Sequence, residues 1–354
     1  MKKKMVVLCT AVLLLTTGCQ KDNPAPVNPA PQQDNREGVY MPEQKVDTIL
    51  INGQIAEVWT WESNKLQSVR TPNENGVLTE SSTFNYNGNR LTSMMTSLRG
   101  MPMQVSYSYG GDYLNNITVS NASTQLLGID VQHTGDKIQH ADFDINSDYL
   151  ADILDLIDPQ MIPDSMTIDV DSMSINVGNL YTLASGLFTS IEDLQASADL
   201  QWQGQNVGAV VLNVSFTAGT TLGDVLNVIG DLNIFGQYAS ILAMMPATTP
   251  LTMQIALCDT SDYFYDQMHN PFQKYLGRID VSALSANNVQ GFQHSGIMNL
   301  IVYVSIMGTQ VPVWNSNFPI PSNYINYMYE YEGNGYPVRM TDSEGNTTEY
   351  KYKD

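Results

Sequence analysis

Residues 327–352, YMYEYEGNGYPVRMTDSEGNTTEYKY, indicate most clearly how this chain folds. Tyr329 and Tyr331 are separated by a single residue, so their side chains share one face of a strand. The segment EGNG at 332–335 is typical of a tight turn, because Gly and Asn tolerate a positive φ. Residues 342–346 carry a second turn of the same kind. The pattern therefore predicts consecutive antiparallel strands joined by short turns.

The same hairpin unit recurs in the N-terminal part of the chain. Four times, an aromatic or apolar pair precedes a turn, and the second member of the pair recurs every 22 to 25 residues, as Trp61, Tyr86, Tyr109 and Val131. One hairpin alone is barely stable in water, so consecutive hairpins should pair into one sheet. We therefore predict a mainly β protein, with a curved, barrel-like antiparallel sheet of hairpin repeats from both ends of the chain. These repeats would form a single domain from residue 45 to residue 354.

The middle of the chain has a different character, and we predict a mixed, α-containing insertion at about 146–246. Apolar residues at helical spacing predict helices near residues 149–157, 180–194, 222–229 and 235–245. Alternating apolar residues predict hairpins near residues 166–177 and 200–216. A helix with one apolar stripe must cover an apolar surface, so these helices should pack against the sheet or inside it.

The N-terminus has the pattern of a lipoprotein signal. Lys2, Lys3 and Lys4 precede an apolar segment that is too short to span a bilayer, and Gly18 and Cys19 follow it. We therefore expect residues 1–18 to be a signal peptide and Cys19 to be the acylated N-terminus. Residues 19–44 contain alternating prolines, which are typical of an extended, flexible tether.

The charge and the cysteines narrow the classes of partner. The formal net charge is −20, and without the three lysines of the signal 13 basic residues remain against 36 acidic ones, which gives −23. Such a surface repels nucleic acid, so we expect no nucleic-acid partner. Once Cys9 leaves with the signal and Cys19 carries lipid, Cys258 has no disulfide partner within the chain. We expect Cys258 to be a small buried hydrophobic residue.

Three segments resemble a known group of proteins. The residues after Cys19 resemble an export signal of Bacteroides-type surface lipoproteins, and they are Gln20, Lys21, Asp22 and Asn23. Residues 265–272, YDQMHNPF, are similar to a YDxKxNPF motif, with Met268 in place of the Lys. Residues 329–352 are similar to a closing YxYxxNGYP segment. Together they resemble uncharacterised lipoproteins whose domain of unknown function is described as porin-like, and the hairpins resemble YD-type repeats.

That resemblance implies a fold and a location but no chemistry. It implies a porin-like sheet and a lipid-anchored protein of the outer membrane that faces the cell exterior. Its partners would be the membrane, through the lipid, and an extracellular glycan or an outer-membrane protein.

The chain lacks the short motifs of common enzymes, among them GxSxG, HExxH, CxxC and a P-loop. We therefore predict no catalytic residue and no cofactor. His133, His140 and Asp142 could share one face of a hairpin, but the turn register should separate them, so we predict no metal site. Residues 342–346 only loosely resemble a Ca²⁺ loop and are better explained as a turn.

Aromatic residues are the candidates for ligand contact, because their faces can stack on sugar rings. The candidates are Trp59, Trp61, Trp314, Tyr107, Tyr109 and Tyr238, and the alternative for each is core packing. A ligand cleft, if present, should lie where the inserted helices meet the sheet. Its residues would be Leu226, Ile229, Tyr238 and Leu242 on the helices and Tyr107 and Tyr109 on the sheet.

Three classes of function remain open at this point. The favoured one is a non-enzymatic surface protein that binds a glycan or another extracellular ligand, or acts as an accessory protein. The second is a hydrolase of extracellular polymers, because two opposed carboxylates leave no local motif. The third is a structural component of an outer-membrane complex.

Overall fold

The protein is described by a computed structural model that covers residues 36–73, 75–98, 101–146, 167–170, 173–176, 187, 190–229, 232–278 and 280–353. Sixteen strands form one closed antiparallel barrel, which confirms the predicted mainly β fold. A separate two-stranded hairpin lies within the inserted region. No helix among these residues is both long enough and apolar enough to cross a membrane.

The N-terminal half of the barrel is built from short strands. They are β1 (Val46–Ile51), β2 (Gln54–Glu62), β3 (Lys65–Pro72), β4 (Leu78–Asn87), β5 (Arg90–Leu98), β6 (Met101–Gly110), β7 (Tyr113–Asn121), β8 (Thr124–Thr134) and β9 (Lys137–Ile145). The separate hairpin is β10 (Thr167–Val170) and β11 (Met173–Asn176), as predicted.

The C-terminal half contains much longer strands. They are β12 (Ile191–Gln203), β13 (Asn206–Thr221), β14 (Pro250–His269), β15 (Asn287–Ile306) and β16 (Thr309–Tyr331), followed by the short β17 (Pro337–Asp342) and β18 (Thr347–Tyr352). Three α-helices can be delimited within the described residues, namely α1 (Leu222–Ile229), α2 (Ala239–Leu242) and α3 (Val281–Leu284). A 3₁₀-helix at Leu232–Tyr238 precedes α2.

Neighbouring strands in the barrel are almost always neighbours in sequence. β12 pairs with β9 across the inserted region, and β1 pairs with β18 to close the sheet, with Ile49 opposite Tyr350. The predicted joining of hairpins from the two ends of the chain is therefore confirmed.

The structure differs from the expected insertion boundaries. β12 and β13 lie inside the range 146–246, yet both are barrel strands. The helix predicted for 180–194 is wrong at its C-terminal end, because β12 begins at Ile191 and pairs with two long neighbours. The helix at 222–229 is confirmed, whereas the one at 235–245 divides at Gly236, whose φ is 53°. The helix predicted for 149–157 lies outside the described residues.

The two faces of the sheet have opposite polarity, as two adjacent rows across it show. One row of directly paired residues is apolar and faces inward, through Tyr107, Ile117, Ile129, Phe143, Ala196, Val214, Leu257, Met298 and Phe318. The next row faces outward, through Ser108, Asn116, Asp130, Asp142, Ser197, Asn213, Cys258 and Ile297. Seven of the eight outward residues are polar side chains or cysteine, so the barrel wall is apolar inside and mainly polar outside.

The buried apolar side chains form three clusters. The first lines β1–β9 and includes Trp59, Trp61 and Tyr107. The second lies between the long strands and the helices, with Leu222 on α1 and Leu242 on α2 about 1% exposed. The third is small and surrounds Val207 on β13. The helices therefore pack against the sheet, as the sequence predicted.

The long strand β16 has a protected edge. Only its last five residues, from Tyr327, pair with β17, and no described strand pairs with residues 309–326 on that side. Pro312, Pro319 and Pro321 interrupt this edge. Proline has no N–H to donate, so these residues blunt an edge that could otherwise recruit another strand.

A chain that ends before β18 should lose the closed barrel. Removal of residues 347–354 takes away Tyr350 and Tyr352 and leaves one edge of β1 and one edge of β17 unpaired, which opens the sheet. We expect loss of a cooperative unfolding transition, measured by circular dichroism, together with aggregation. A chain that ends at Tyr352 is the control, because it loses one described hydrogen bond, from Lys353 N to Lys45 O, and should unfold as the full chain does.

Candidate functional site

The loop after β14 reaches into the barrel and packs within the first cluster. The ring of Tyr275 lies 4.9 Å from that of Trp59 and 5.1 Å from that of Tyr40, measured between centroids. Phe272 lies 6.0 Å from Trp59 and 5.9 Å from Tyr350. Phe272 and Tyr275 are each 6% exposed. We call residues 270–278 the plug loop, because they fill part of the barrel interior.

Two phenols of the wall hold the plug loop by its backbone. The hydroxyl of Tyr40 donates to the carbonyl oxygen of Pro271 at 2.7 Å, and that of Tyr107 donates to that of Leu276 at 2.8 Å. Burial raises the pKa of Tyr40 well above its ordinary value, because it penalises the charged phenolate. These groups are therefore neutral donors that satisfy carbonyls of a buried loop.

A charged side chain of the plug loop is neutralised inside the barrel. Arg278 lies 3.3 Å from a carboxylate oxygen of Glu57, whose other oxygen accepts a hydrogen bond of 2.8 Å from Trp59 Nε1. The guanidinium also lies 4.4 Å from the centre of the Phe272 ring. Burial by itself would lower the pKa of Arg278, but the charge of Glu57 outweighs it and the pKa is raised. This ion pair therefore links the plug loop to strand β2.

Asp266 is the most connected buried carboxylate near the plug loop. One of its oxygens accepts hydrogen bonds from Met268 N at 2.9 Å and Asn288 N at 3.1 Å. The other accepts from Asn288 Nδ2 at 3.2 Å and from the hydroxyl of Tyr331. Burial raises the pKa of Asp266, although these hydrogen bonds oppose the shift. Asp266 therefore joins the ends of three long strands, β14, β15 and β16.

The remaining residues of the YDQMHNPF segment also hold structure. Tyr265 donates to Val207 O at 2.7 Å, and Asn270 Nδ2 donates to the carbonyl oxygens of Ser282 and Ser285 at 2.7 and 2.8 Å. Asn270 Oδ1 accepts from Phe272 N at 2.9 Å, which shapes the start of the plug loop. The hydrogen bonds of this segment therefore fix the position of the plug loop.

The aromatic candidates from the sequence lie in two separate places. Trp59, Trp61 and Tyr107 are 3%, 8% and 6% exposed in the first cluster, and Tyr109 packs against it. Trp314 and Tyr238 pack against the second cluster, where the Trp314 ring lies 6.0 Å from that of Phe235. The structure does not bring Tyr107 and Tyr109 together with the helices, and the described helix faces pack directly on the sheet.

The proposed sharing of one face by His133 and His140 is wrong, and a β-bulge explains it. His133 lies opposite Ile138 as expected, but the ladder shifts so that His140 lies opposite Gln132. His133 lies 3.2 Å from a Glu37 carboxylate oxygen, whereas His140 contacts Asp199 at 2.7 Å and Asp142 at 3.0 Å. Within the described ranges, no group of three His, Cys, Asp or Glu side chains is placed to hold a metal ion.

Two further predictions concern Cys258 and the turn at residues 342–346. Cys258 was expected to be buried, but it is exposed, because the inward positions on β14 belong to its neighbours Leu257 and Asp259. The interpretation of residues 342–346 as a turn agrees with the structure. Asp342 Oδ1 accepts from the backbone N–H groups of Glu344 and Asn346 at 3.0 and 2.8 Å.

A charged depression of about 720 Å³ lies over the C-terminal hairpins. Arg339 lines it and contacts Glu349 at 3.2 Å and Glu330 at 3.5 Å. Further lining residues include Gln44, Glu332, Asn334, Lys351 and Lys353. The depression is open, and several of its charges pair with each other.

Sequence reasoning missed an aromatic pair on the outer face. Phe264 on β14 and Tyr324 on β16 are 45% and 37% exposed, and their ring centroids lie 5.9 Å apart. Phe264 lies directly opposite Gly291 on β15, and Tyr324 lies opposite Gln293. In the sequence, Phe264 follows the inward Tyr263, and Tyr324 precedes the inward Ile325. The sequence alone does not show which residue of each such pair faces the barrel interior.

Comparisons with known proteins give little further information. No family model matches the chain, and no curated protein matches it either. Among solved structures, it is similar to a porin-like protein from Bacteroides uniformis, with 13% identity over 90% of this chain and 95% of that chain. The TM-score is 0.23, so this similarity carries no argument about fold or function. The neighbour has the porin-like description and the Bacteroides origin that the sequence resemblance implied, and the lipoprotein family stays a prediction.

Replacement of Asp266 by Ala should destabilise the protein strongly. The change leaves the donors of Met268, Asn288 and Tyr331 buried without their acceptor, so we expect a loss of about 3 kcal/mol in the free energy of unfolding. Denaturant titration measures it. Asp262→Ala, at an exposed position of the same strand, is the matched control and should change stability by less than about 0.5 kcal/mol. Equal effects of the two variants would contradict the assigned role of Asp266.

His140 should make the contact between the paired strands β9 and β12 sensitive to pH. The hydrogen bond to Asp199, and then that to Asp142, raises the pKa of His140 above its ordinary value of about 6.5. A raised pKa in the folded state gives stability that is complete below about pH 6.5 and is lost as the pH rises through the raised value. The unfolding midpoint of His140→Gln should therefore fall furthest below the parent at pH 6 and approach it at pH 9. A constant difference across this range would contradict the prediction.

Proposed function

We propose that this protein is a non-enzymatic binding or accessory protein that stands in water at the outer face of an outer membrane, held there by lipid on Cys19. The observation that carries the proposal is the polarity of the barrel. A membrane-spanning barrel presents an outward apolar band about 25 Å tall. Here the outward row contains Asp130 and Asp142, and the apolar row faces inward. This arrangement favours a barrel surrounded by water.

The plug loop supports a role other than transport. Conduction through a barrel needs a polar, water-filled interior. The interior near β1–β9 holds an aromatic cluster, and Phe272 and Tyr275 are buried in it. The pair between Arg278 and Glu57 fixes the loop in place. A plug of this kind favours a solid binding module over a pore.

The N-terminal pattern supports attachment by lipid. Cys19 follows an apolar segment and Gly18, and Gln20, Lys21, Asp22 and Asn23 resemble a surface-export signal. The proline-rich segment that follows would hold the barrel away from the bilayer. The partners in this proposal are the membrane, through the lipid, and an extracellular glycan, another extracellular ligand or an outer-membrane protein.

The hydrolase alternative has less support from the described residues. A glycoside hydrolase needs two carboxylates on opposite sides of its substrate, one of them an acid. Asp142 and Asp199 are brought together on the outer face, but His140 lies between them and contacts both. These two carboxylates and His140 therefore link strand β9 to strand β12, which is a structural role.

Replacement of residues 1–19 by a secretory signal that is cleaved without lipidation should release the protein from the membrane. We expect the unaltered protein to sediment with outer membranes, to carry acyl mass, and to be cleaved by protease added to whole cells. The resulting protein, which begins at Gln20 and carries no lipid, should stay in solution without detergent, because its outer wall is polar. Mass spectrometry and fractionation measure these outcomes. An integral barrel would remain in the membrane after this change, and that result would overturn the proposal.

The export signal has its own control. Lys21→Ala with Asp22→Ala leaves Cys19 in place, so acylation should persist while cleavage by external protease is lost. A protein that is acylated and still cleaved would separate the lipid anchor from the surface location and contradict the second part of the proposal.

A further inference from the structure

The Phe264 and Tyr324 pair occupies a shallow platform on the outer wall. Outward residues of three adjacent strands form two rows, one of Asp262, Gln293 and Tyr324, the other of Phe264, Gly291 and Asn326. Asp262 and Gln293 are exposed, as are both rings. The platform therefore combines two aromatic faces with a carboxylate and an amide within a few ångströms of each other on the sheet.

Gly291 determines how the platform is shaped. A Cβ atom at this position would lie 3.3 Å from the Tyr324 hydroxyl oxygen, so the tyrosine lies across the strand above the glycine. The same atom would lie 2.6 Å from the carbonyl oxygen of Ile325, so a side chain cannot be added there without movement of the backbone. The Tyr324 ring therefore rests on the sheet with one side toward water, and the Phe264 ring meets it at 63°.

We propose that this platform binds a neutral sugar ring of a glycan chain, with the ring stacked on Tyr324 and flanked by Phe264. This inference rests on the proposed binding role and names its ligand class and its site. The apolar side of a pyranose ring matches an exposed aromatic face, and its hydroxyl groups match the acceptor of Asp262 and the amide of Gln293. A neutral ring fits because Asp262 and a net charge of −20 disfavour an anionic ligand.

The size of the platform argues against a protein partner. A stable protein interface buries roughly 800 Å² on each partner. An aromatic side chain buries about 150–250 Å² when it is covered completely, and here less than half of each ring is exposed. Two partly covered rings therefore suit one or two sugar units better than a second copy of this chain.

The test uses chains that begin at Gln20 and were exported without lipid, so that no detergent is needed. The probes are neutral soluble polysaccharides, namely amylopectin, xylan, mannan and a mixed-linkage β-glucan, in affinity gel electrophoresis. We expect at least one to retard the parent chain. Tyr324→Ala and Phe264→Ala should each weaken that binding about tenfold or more, because truncation of a central aromatic contact has effects of this size. Tyr324→Phe should retain most of the binding.

Tyr113→Ala is the matched control, since Tyr113 is 38% exposed elsewhere on the barrel and should not affect binding. Unchanged unfolding midpoints would show that the variants are folded. Binding that survives in both platform variants would overturn the site while the proposed binding role stands. No retardation by any probe would overturn the neutral sugar as ligand, whereas the acylation and protease tests decide the anchor separately. Dimerisation that Tyr324→Ala abolishes would assign the platform to a second copy and overturn the proposal.

Discussion

The structure depends on how a wide barrel with an apolar interior is filled. A sheet of eight strands encloses a space that side chains can fill, whereas barrels of sixteen strands leave a channel unless something enters it. This barrel has sixteen strands, and its inward row from Tyr107 to Phe318 is apolar. Water in such an interior would be unfavourable, so other parts of the chain must cover it. The plug loop does so near β1–β9, and the helices after β13 do so at the second cluster.

The plug loop is held by polar contacts that would be unfavourable if they were incomplete. Arg278 enters with the plug loop and meets Glu57, and Asp266 collects four hydrogen bonds from three residues. A buried charge without such partners would destabilise the fold by more than the pair stabilises it. Such contacts contribute less to net stability than apolar burial does. Their effect is to specify one position of the loop, because a displaced loop would leave several buried groups unpaired.

The sequence predicted the parts of this fold that depend on local pattern. Alternation and turn residues identified the hairpins, and their presence at both ends of the chain predicted that both ends join one sheet. The contacts that hold the plug loop were not predictable, because Tyr40 and Pro271 are 231 residues apart and no sequence pattern relates one to the other. The hairpin at residues 200–216 was predicted, but β12 and β13 were assigned to the insertion, because the apolar spacing before residue 194 and after residue 222 fits helices and left the place of this hairpin ambiguous. Pairing with β9 and β14 resolved the ambiguity.

The outer face was the part least accessible to sequence reasoning, since a single bulge reverses which side chains face outward. The bulge near Gln139 places His140 outside while Ile138 stays inside, and the His133–His140 pair is lost.

The aromatic platform could not be predicted for the same reason, because the sequence does not show which residues of these strands face outward. Contact between Tyr324 and Gly291 follows from the fold alone, because an aromatic ring can cover a glycine that a close backbone approach requires. Phe264 lies directly opposite the same glycine on β15, and it is 45% exposed on a wall whose outward positions are otherwise mainly polar. Burial explains the aromatic residues inside the barrel. Hydrogen bonds where the barrel wall passes into the plug loop explain Asp266 and Asn270. Neither accounts for a second exposed ring beside the first. In the binding proposal, a sugar ring stacks on Tyr324 and is flanked by Phe264, which gives both exposed rings a role.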